Sequence, residues 1–255
     1  MMPTSSVHGV GGVLSADIAV PEHGREQAFY AAILTTGDAP LWRDDLTNNL
    51  GTPIIGLGER TPELDALPLQ WMPHIQVADV AASVAHAIAL DGTELMHGKT
   101  EEGQSQWAVL VDPEGAAFGV VPTVPGDSDA AARQGRQGCI AGLTLAVSDV
   151  QASRDFYRHV VGWRANAVET ENSSPPGARL EMQASNGATI AHIQPRHAED
   201  GSASAAWLLH LPVDDLAESL RRVVVHGGEV IREPAGVSVA LVRDPVGVVL
   251  VLQAG

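Results

Sequence analysis

The chain has 255 residues, 45% hydrophobic and 18% charged, with 15 basic against 31 acidic side chains and a formal net charge of −16. That is the make-up of a globular chain, long enough for one large domain or two ordinary ones, and not of a disordered one. The acidity excludes nucleic acid and anionic membranes as main partners, no apolar run reaches the roughly 20 residues of a membrane span, and a lone cysteine, Cys139, excludes an internal disulfide or a zinc ribbon. The N-terminus carries no basic-then-apolar leader, so a cytoplasmic location is expected.

An apolar strand ending in Val, an acidic start and a helix recur four times along the chain. The first copy is Asp17-Ile18-Ala19-Val20, followed by a helix carrying Ala28, Phe29, Tyr30 and Ile33. The second runs from His74 to Val77, with Asp79 as N-cap and Val80, Val84, Ala87 and Ile88 as the apolar stripe of its helix. Gly92 is expected to end that helix in a left-handed conformation. A strand from Trp107 to Val111 then leads into the turn Asp112-Pro113-Glu114-Gly115 and a strand from Ala116 to Val121. Residues 124–137, rich in Pro, Gly, Ser and Ala, read as a linker.

The third copy is Leu143 to Val147 with Asp149, and its helix repeats Phe29-Tyr30 as Phe156-Tyr157. In the fourth, His210 to Val213 precedes Asp214 or Asp215 as N-cap, then the stripe Leu216, Leu220, Val223 and Val224 and the stop Gly227-Gly228. The strand Val239 to Arg243, the turn Asp244-Pro245-Val246-Gly247 and the strand Val248 to Leu252 close the chain's pattern. In both turns Pro presets the second position and Gly accepts positive φ near the end. The halves, residues 8–123 and 138–253, are each one strand–helix–strands unit used twice.

A doubled unit of this kind, with Phe-Tyr in its first helix and Asp-Pro-x-Gly before its last strand, resembles the vicinal oxygen chelate superfamily. That group includes glyoxalase I, bleomycin-resistance proteins, fosfomycin-resistance enzymes and extradiol dioxygenases. The chain is similar to two-domain glyoxalase-like proteins common in actinobacteria. The resemblance implies an α+β fold: two tandem domains, each a pair of βαβββ modules forming an open, cleft-bearing β-barrel. Where a metal is present in such folds, opening and closing strands supply its ligands and it polarises vicinal oxygens of the substrate.

The ligand positions that the resemblance implies do not carry ligands here. On the opening strands, five residues before the final Val, stand Ser15, Met72, Gly142 and Leu208. On the closing strands, four residues after the turn Gly, stand Gly119 and Val251. The extradiol dioxygenase and ordinary glyoxalase I sites are rejected on this count. Two residues further along the opening strands, on the same face, are Asp17, His74, Thr144 and His210. Aligning the remaining closing strands puts His192 where the resemblance implies a closing-strand Glu, and Gly56 at the equivalent place in the first half, with Glu181 on a nearby strand.

Asp17, His74, Thr144, Glu181, His192 and His210 are therefore the candidate ligand-binding residues. His192 and His210 can equally serve as displaced metal ligands, as an acid–base pair, or as hydrogen-bonded structural residues. Of five tryptophans, Trp42 and Trp107 are pocket candidates, Trp163 belongs to the core, and Trp71 and Trp207 point away from His74 and His210. Cys139 reads as structural, and His8, His23, His97 and His197 as solvent residues.

Two functions remain open. One is metal-free binding of a small aromatic or cationic molecule, as in bleomycin-resistance proteins, with no cofactor. The other is a glyoxalase-like lyase, isomerase or oxygenase using a displaced divalent metal or a His acid–base pair. Either suits a monomer or a homodimer with a small-molecule partner.

Overall fold

A computed structural model describes residues 9–34, 45–47, 53–123, 140–167, 179–196, 205–232 and 239–254. Trp42, Cys139, His8, His197 and the 124–137 linker lie outside the described residues.

Four modules follow one another. The first has β1 (Val13–Val20), α1 (His23–Ile33), β2 (Asp45–Thr47) and β3 (Pro53–Glu59). The second has β4 (Met72–Val77), α2 (Val80–Ala89), β5 (Thr93–Lys99), β6 (Ser105–Val111) and β7 (Ala117–Pro122). The third has β8 (Gly142–Val147), α3 (Val150–Val160), β9 (Arg164–Ala167), β10 (Leu180–Gln183) and β11 (Thr189–Pro195). The fourth has β12 (Trp207–Val213), α4 (Leu216–Val225), β13 (Glu229–Arg232), β14 (Val239–Arg243) and β15 (Val249–Ala254).

In each module the opening strand pairs in parallel with the last strand, and the intervening helix makes the crossover such pairing needs. The other strands join antiparallel. Two open sheets result, seven strands from the first two modules and eight from the last two. No helix among the described residues is long and apolar enough to cross a membrane.

The aspartates start the helices as expected. Asp79, Asp149 and Asp215 each accept a backbone N–H of the first turn, so Asp215, not Asp214, is the fourth cap. The outer ends of the helical stripes differ from expectation. Ile88 is 54% and Val224 62% exposed, and Ala28 is exposed too, because each lies one step around from the buried line through Ala87, Val223 or Phe29. Gly92 is also not the left-handed residue; Asp91 is, at φ 62°. Gly92 is required for space, since a Cβ there would sit 2.9 Å from the Ala87 carbonyl oxygen and 3.1 Å from the Phe156 ring.

Contacts gather the modules into two compact units, one holding Met72–Gln134 and Leu143–Trp207, the other Ser15–Trp71 and Leu208–Gly255. Within the first, Ser83 Oγ of α2 donates to the Val160 carbonyl at 2.7 Å. Tyr157 Oη donates to Asp112 Oδ2 at 2.9 Å, while Asp112 Oδ1 accepts the N–H groups of Glu114 and Ala116. Tyr157 also packs against Trp163 and Trp207, both buried, as expected for Trp163.

The second unit repeats this arrangement. Ser219 Oγ donates to the Ile33 carbonyl at 2.7 Å, and Tyr30 Oη to Asp244 Oδ2 at 2.8 Å. Asp244 Oδ1 accepts from Val246 and Val248, and Tyr30 packs edge-on against Trp71. So the two sequence signatures, Phe-Tyr and Asp-Pro-x-Gly, are the two ends of one buried latch that occurs twice. Gly115 and Gly247, at φ 98° and 100°, let the turn close around the aspartate.

One residue breaks the repeat. Where α3 has Ser153, α1 has Glu26, fully buried with neither carboxylate oxygen hydrogen-bonded. Burial and the neighbouring Asp244 push its carboxyl up to about 8.

Candidate functional site

The four opening-strand residues picked out above meet the four closing-strand positions in register. Asp17 pairs with Gly56, His74 with Gly119, Thr144 with His192 and His210 with Val251. Paired positions in a sheet share a face, and the alternation of β12, with Trp207, Leu209, Leu211 and Val213 buried, leaves His210 on the face away from the core. Asp17, His74, His192 and His210 are all half-buried, and Thr144 is buried.

In the second module one row runs from His74 through Gly119 and Val109 to Met96. A Cβ on Gly119 would stand 2.5 Å from Cδ2 of His74, so the imidazole lies down over the glycine. Two residues along β6 from Val109, Trp107 lies in the same way over its register partner Gly98. Trp107 is 39% exposed while Val109 is buried. Two rings thus rest on glycine floors on one face, beside apolar neighbours, with one indole open to solvent. Glycine within a strand is the signal for such close approach, and it was available at Gly98 and Gly119.

The third module presents a polar row instead. Thr144, His192, Glu181 and Asn166 stand side by side on β8, β11, β10 and β9. His192 Nε2 lies 3.7 Å from Glu181 Oε1, an ion-pair distance longer than a hydrogen bond. Burial and then the charge of Arg179 push the His192 imidazole below its ordinary value, against the pull of Glu181. Sequence reasoning missed Arg179, because it precedes β10 and nothing in its neighbours marks it as facing the sheet.

Of the predicted residues, Thr144, Glu181 and His192 therefore come together, and His74 and Trp107 share a face. Asp17 on β1 and His210 on β12 belong to the other compact unit. Two histidines expected in solvent are engaged: His23 lies within α1 with its ring at 2.8 Å from the Leu57 carbonyl, and His97 lies within β5, bonded to Ser105 at 2.8 Å. A short apolar spacing cannot reveal either, since both partners are brought in by strand pairing.

Among the described residues the donor set does not make up a metal centre with three protein ligands. No three His, Cys, Asp or Glu side chains converge among the described residues, and of the four closing-strand positions Gly56, Gly119 and Val251 offer no ligand atom and His192 alone does.

Gly119→Ala is expected to displace the His74 ring without unfolding the chain. Overpacking of this kind destabilises by about 1–3 kcal/mol. The check is the His74 ring resonances by NMR; unchanged shifts in a folded variant would contradict the glycine-floor geometry.

Comparison with known proteins agrees with this architecture. The profile of the Glyoxalase/Bleomycin resistance protein/Dioxygenase superfamily matches residues 140–252, and that of a Glyoxalase-like domain matches residues 15–121. The chain is similar to Anthracycline biosynthesis protein DnrV of Streptomyces peucetius, 31% identical over 126 residues, 43% of this chain and 44% of that protein. It is also similar to Anthracycline biosynthesis protein DauV of Streptomyces sp. (strain C5), 24% identical over 168 residues, 66% of this chain and 58% of that protein. The chain spans about half the length of these curated relatives.

Among solved structures, the 2,3-dioxygenase LapB from Pseudomonas sp. KL28 superposes with a TM-score of 0.54 at 12% identity, covering 98% of this chain and 93% of that one. Homoprotocatechuate 2,3-dioxygenase from Arthrobacter globiformis gives 0.57 at 12% identity, covering 100% and 83%. The Mn(II)-bound glyoxalase from Novosphingobium aromaticivorans gives 0.53 at 14% identity, again covering 100% and 83%. At such identities the likeness is one of fold. With both halves matched by glyoxalase profiles and the paired modules in place, the chain belongs to the vicinal oxygen chelate superfamily, as two glyoxalase-like domains in tandem.

Proposed function

We propose that this protein binds a small, flat, aromatic organic molecule on the face of the second module, using packing and hydrogen bonds in place of a three-ligand metal centre. The observation that carries the reading is the pair of glycine-floored rings, His74 over Gly119 and the open Trp107 over Gly98. A planar ligand laid there releases water from Met96, Val109 and Trp107 and gains a stacking contribution of about 0.5–1.5 kcal/mol from the indole. The net charge of −16 favours a neutral or cationic ligand over an anionic one at this face. Similarity to two proteins named for anthracycline biosynthesis supports a polycyclic aromatic ligand.

Titration with a hydroxyanthraquinone such as alizarin, followed by tryptophan fluorescence, tests this. Trp107→Ala is expected to weaken binding by at least about tenfold, or 1.4 kcal/mol. Equal affinity in the variant would remove the face from consideration.

A second reading, proton-transfer catalysis of the lyase or isomerase kind, draws on His192. Its imidazole is held below the ordinary value beside Glu181, the state of a general base at neutral pH. Single-turnover proton exchange from a carbonyl substrate, lost in His192→Gln, would favour that reading.

A further inference from the structure

The third module has a feature that aromatic stacking on the second does not use. Arg179 Nε is buried and has no hydrogen-bond partner. A buried guanidinium donor left unpaired carries a desolvation penalty of about 1–3 kcal/mol or more, so a site that keeps one usually has an acceptor to offer it. Among the described residues no carboxylate pairs with Arg179; Glu181 on the same row lies instead at 3.7 Å from His192 Nε2. Arg179 is nonetheless close enough to His192 to act on its charge state.

Arg179 directly precedes β10, two residues before Glu181 and therefore on the same face, so it flanks the His192–Glu181 pair. If Nε2 carries the proton that faces Glu181, the neutral ring offers Nδ1 as an acceptor. Among the described residues no hydrogen bond engages that nitrogen. An acceptor nitrogen and an unpaired guanidinium Nε on one face suit a group that gives up a proton and becomes an anion. A carboxylate ligand would have nothing to offer the acceptor, and an amine nothing to offer the guanidinium.

We propose that the Thr144–His192–Glu181 row with Arg179 is a recognition site for an acidic phenolic or enolic hydroxyl. The ligand O–H bond breaks and its proton passes to Nδ1 of His192. The resulting imidazolium is held by Glu181, and the phenolate oxygen, keeping the bonding pair, is held by Arg179. No oxidant, metal or further reactant is consumed. Thr144, at the inner end, has a hydroxyl on the same face. The site goes beyond the aromatic face of the second module and does not depend on it.

The experiment is titration of para-nitrophenol with the full chain at a pH one unit below the free phenol's own pKa, reading the visible phenolate band. The wild type is expected to convert the bound probe to phenolate, raising the band severalfold in a saturable manner. Arg179→Met is expected to abolish that rise, and Arg179→Lys, which keeps the charge without the fork, to retain part of it. The same Arg179→Met protein, checked for folding by circular dichroism, is expected to show the His192 NMR titration moved to higher pH. A phenolate band that does not rise with protein, or that rises equally in Arg179→Met, overturns the proposal. Because the readout is ionisation of the probe and not indole fluorescence, failure of the Trp107 face leaves this result unaffected, and the reverse holds too.

Discussion

Asp112→Ala is expected to destabilise the chain by about 3–5 kcal/mol, among the largest effects of any single substitution. The side chain is buried and serves three donors at once: the Tyr157 hydroxyl, the Glu114 N–H and the Ala116 N–H. Alanine orphans all three in a site with little access to water, and it also loosens the turn that places β7 beneath His74. Tyr157→Phe removes only one of the bonds and is expected to lose about 1–2 kcal/mol. Urea unfolding midpoints of the two variants make the comparison. A loss below about 1 kcal/mol for Asp112→Ala would mean that the latch is not a principal fastening.

Glu26→Gln is expected to do the opposite and stabilise the protein, more so as pH rises. The folded-state value of about 8 for Glu26 stands above the ordinary 4.5, so the folded chain holds the proton more tightly than the unfolded one. A carboxyl raised in this way favours folding at pH below 4.5 and takes stability away as pH climbs through the window from 4.5 to about 8. Burial is the main cause, and the groups facing it are Asp244, Glu22 and Tyr30, with Arg25 acting in the other direction. Near pH 7 the difference between variant and wild type is expected to reach about 2–4 kcal/mol, at 1.36 kcal/mol per pKa unit. Glutamine keeps the shape without a charge to bury. Stability curves of both proteins against pH check this; a difference that stays constant from pH 4 to 9 would contradict the assignment of the proton to Glu26.

Much of the fold can be read in the residues because each repeat carries its own local chemistry. Asp79 and Asp215 cap helices through bonds three residues away, and Gly115 and Gly247 close turns of four residues, so short-range pattern suffices for them. The register of the parallel strands is legible for a similar reason. Side chains alternate with period two, so alignment of the repeats makes Gly56, Gly119, His192 and Val251 equivalent closing-strand positions, and the structure pairs them with Asp17, His74, Thr144 and His210.

What escapes the pattern depends on distant partners. Tyr30 and Asp244 are 214 residues apart, and that separation is why the two signatures look like independent family marks when they are one contact. Glu26 is buried beside Asp244 of the fourth module, a neighbour that its local sequence does not reveal. Ile88 and Val224 extend apolar stripes by a position that the packed helix rotates outward. In the site, the candidate row of Thr144, His192 and Glu181 is visible from alternation, whereas Arg179 shows itself only once β10 pairs with β11. The chemical class of the side chains was legible; which of them would be left without partners was not.

The proposed function requires that an aromatic molecule be held on the second module by ring packing and not by a metal with three protein ligands. Isothermal titration of alizarin into the untagged chain, before and after exhaustive dialysis against a strong chelator, tests it most directly. Saturable binding near one ligand per chain, equal in the two preparations and lost in Trp107→Ala, is the expected result. Binding that disappears with the chelator and returns with a divalent ion, or no binding at all, would contradict it.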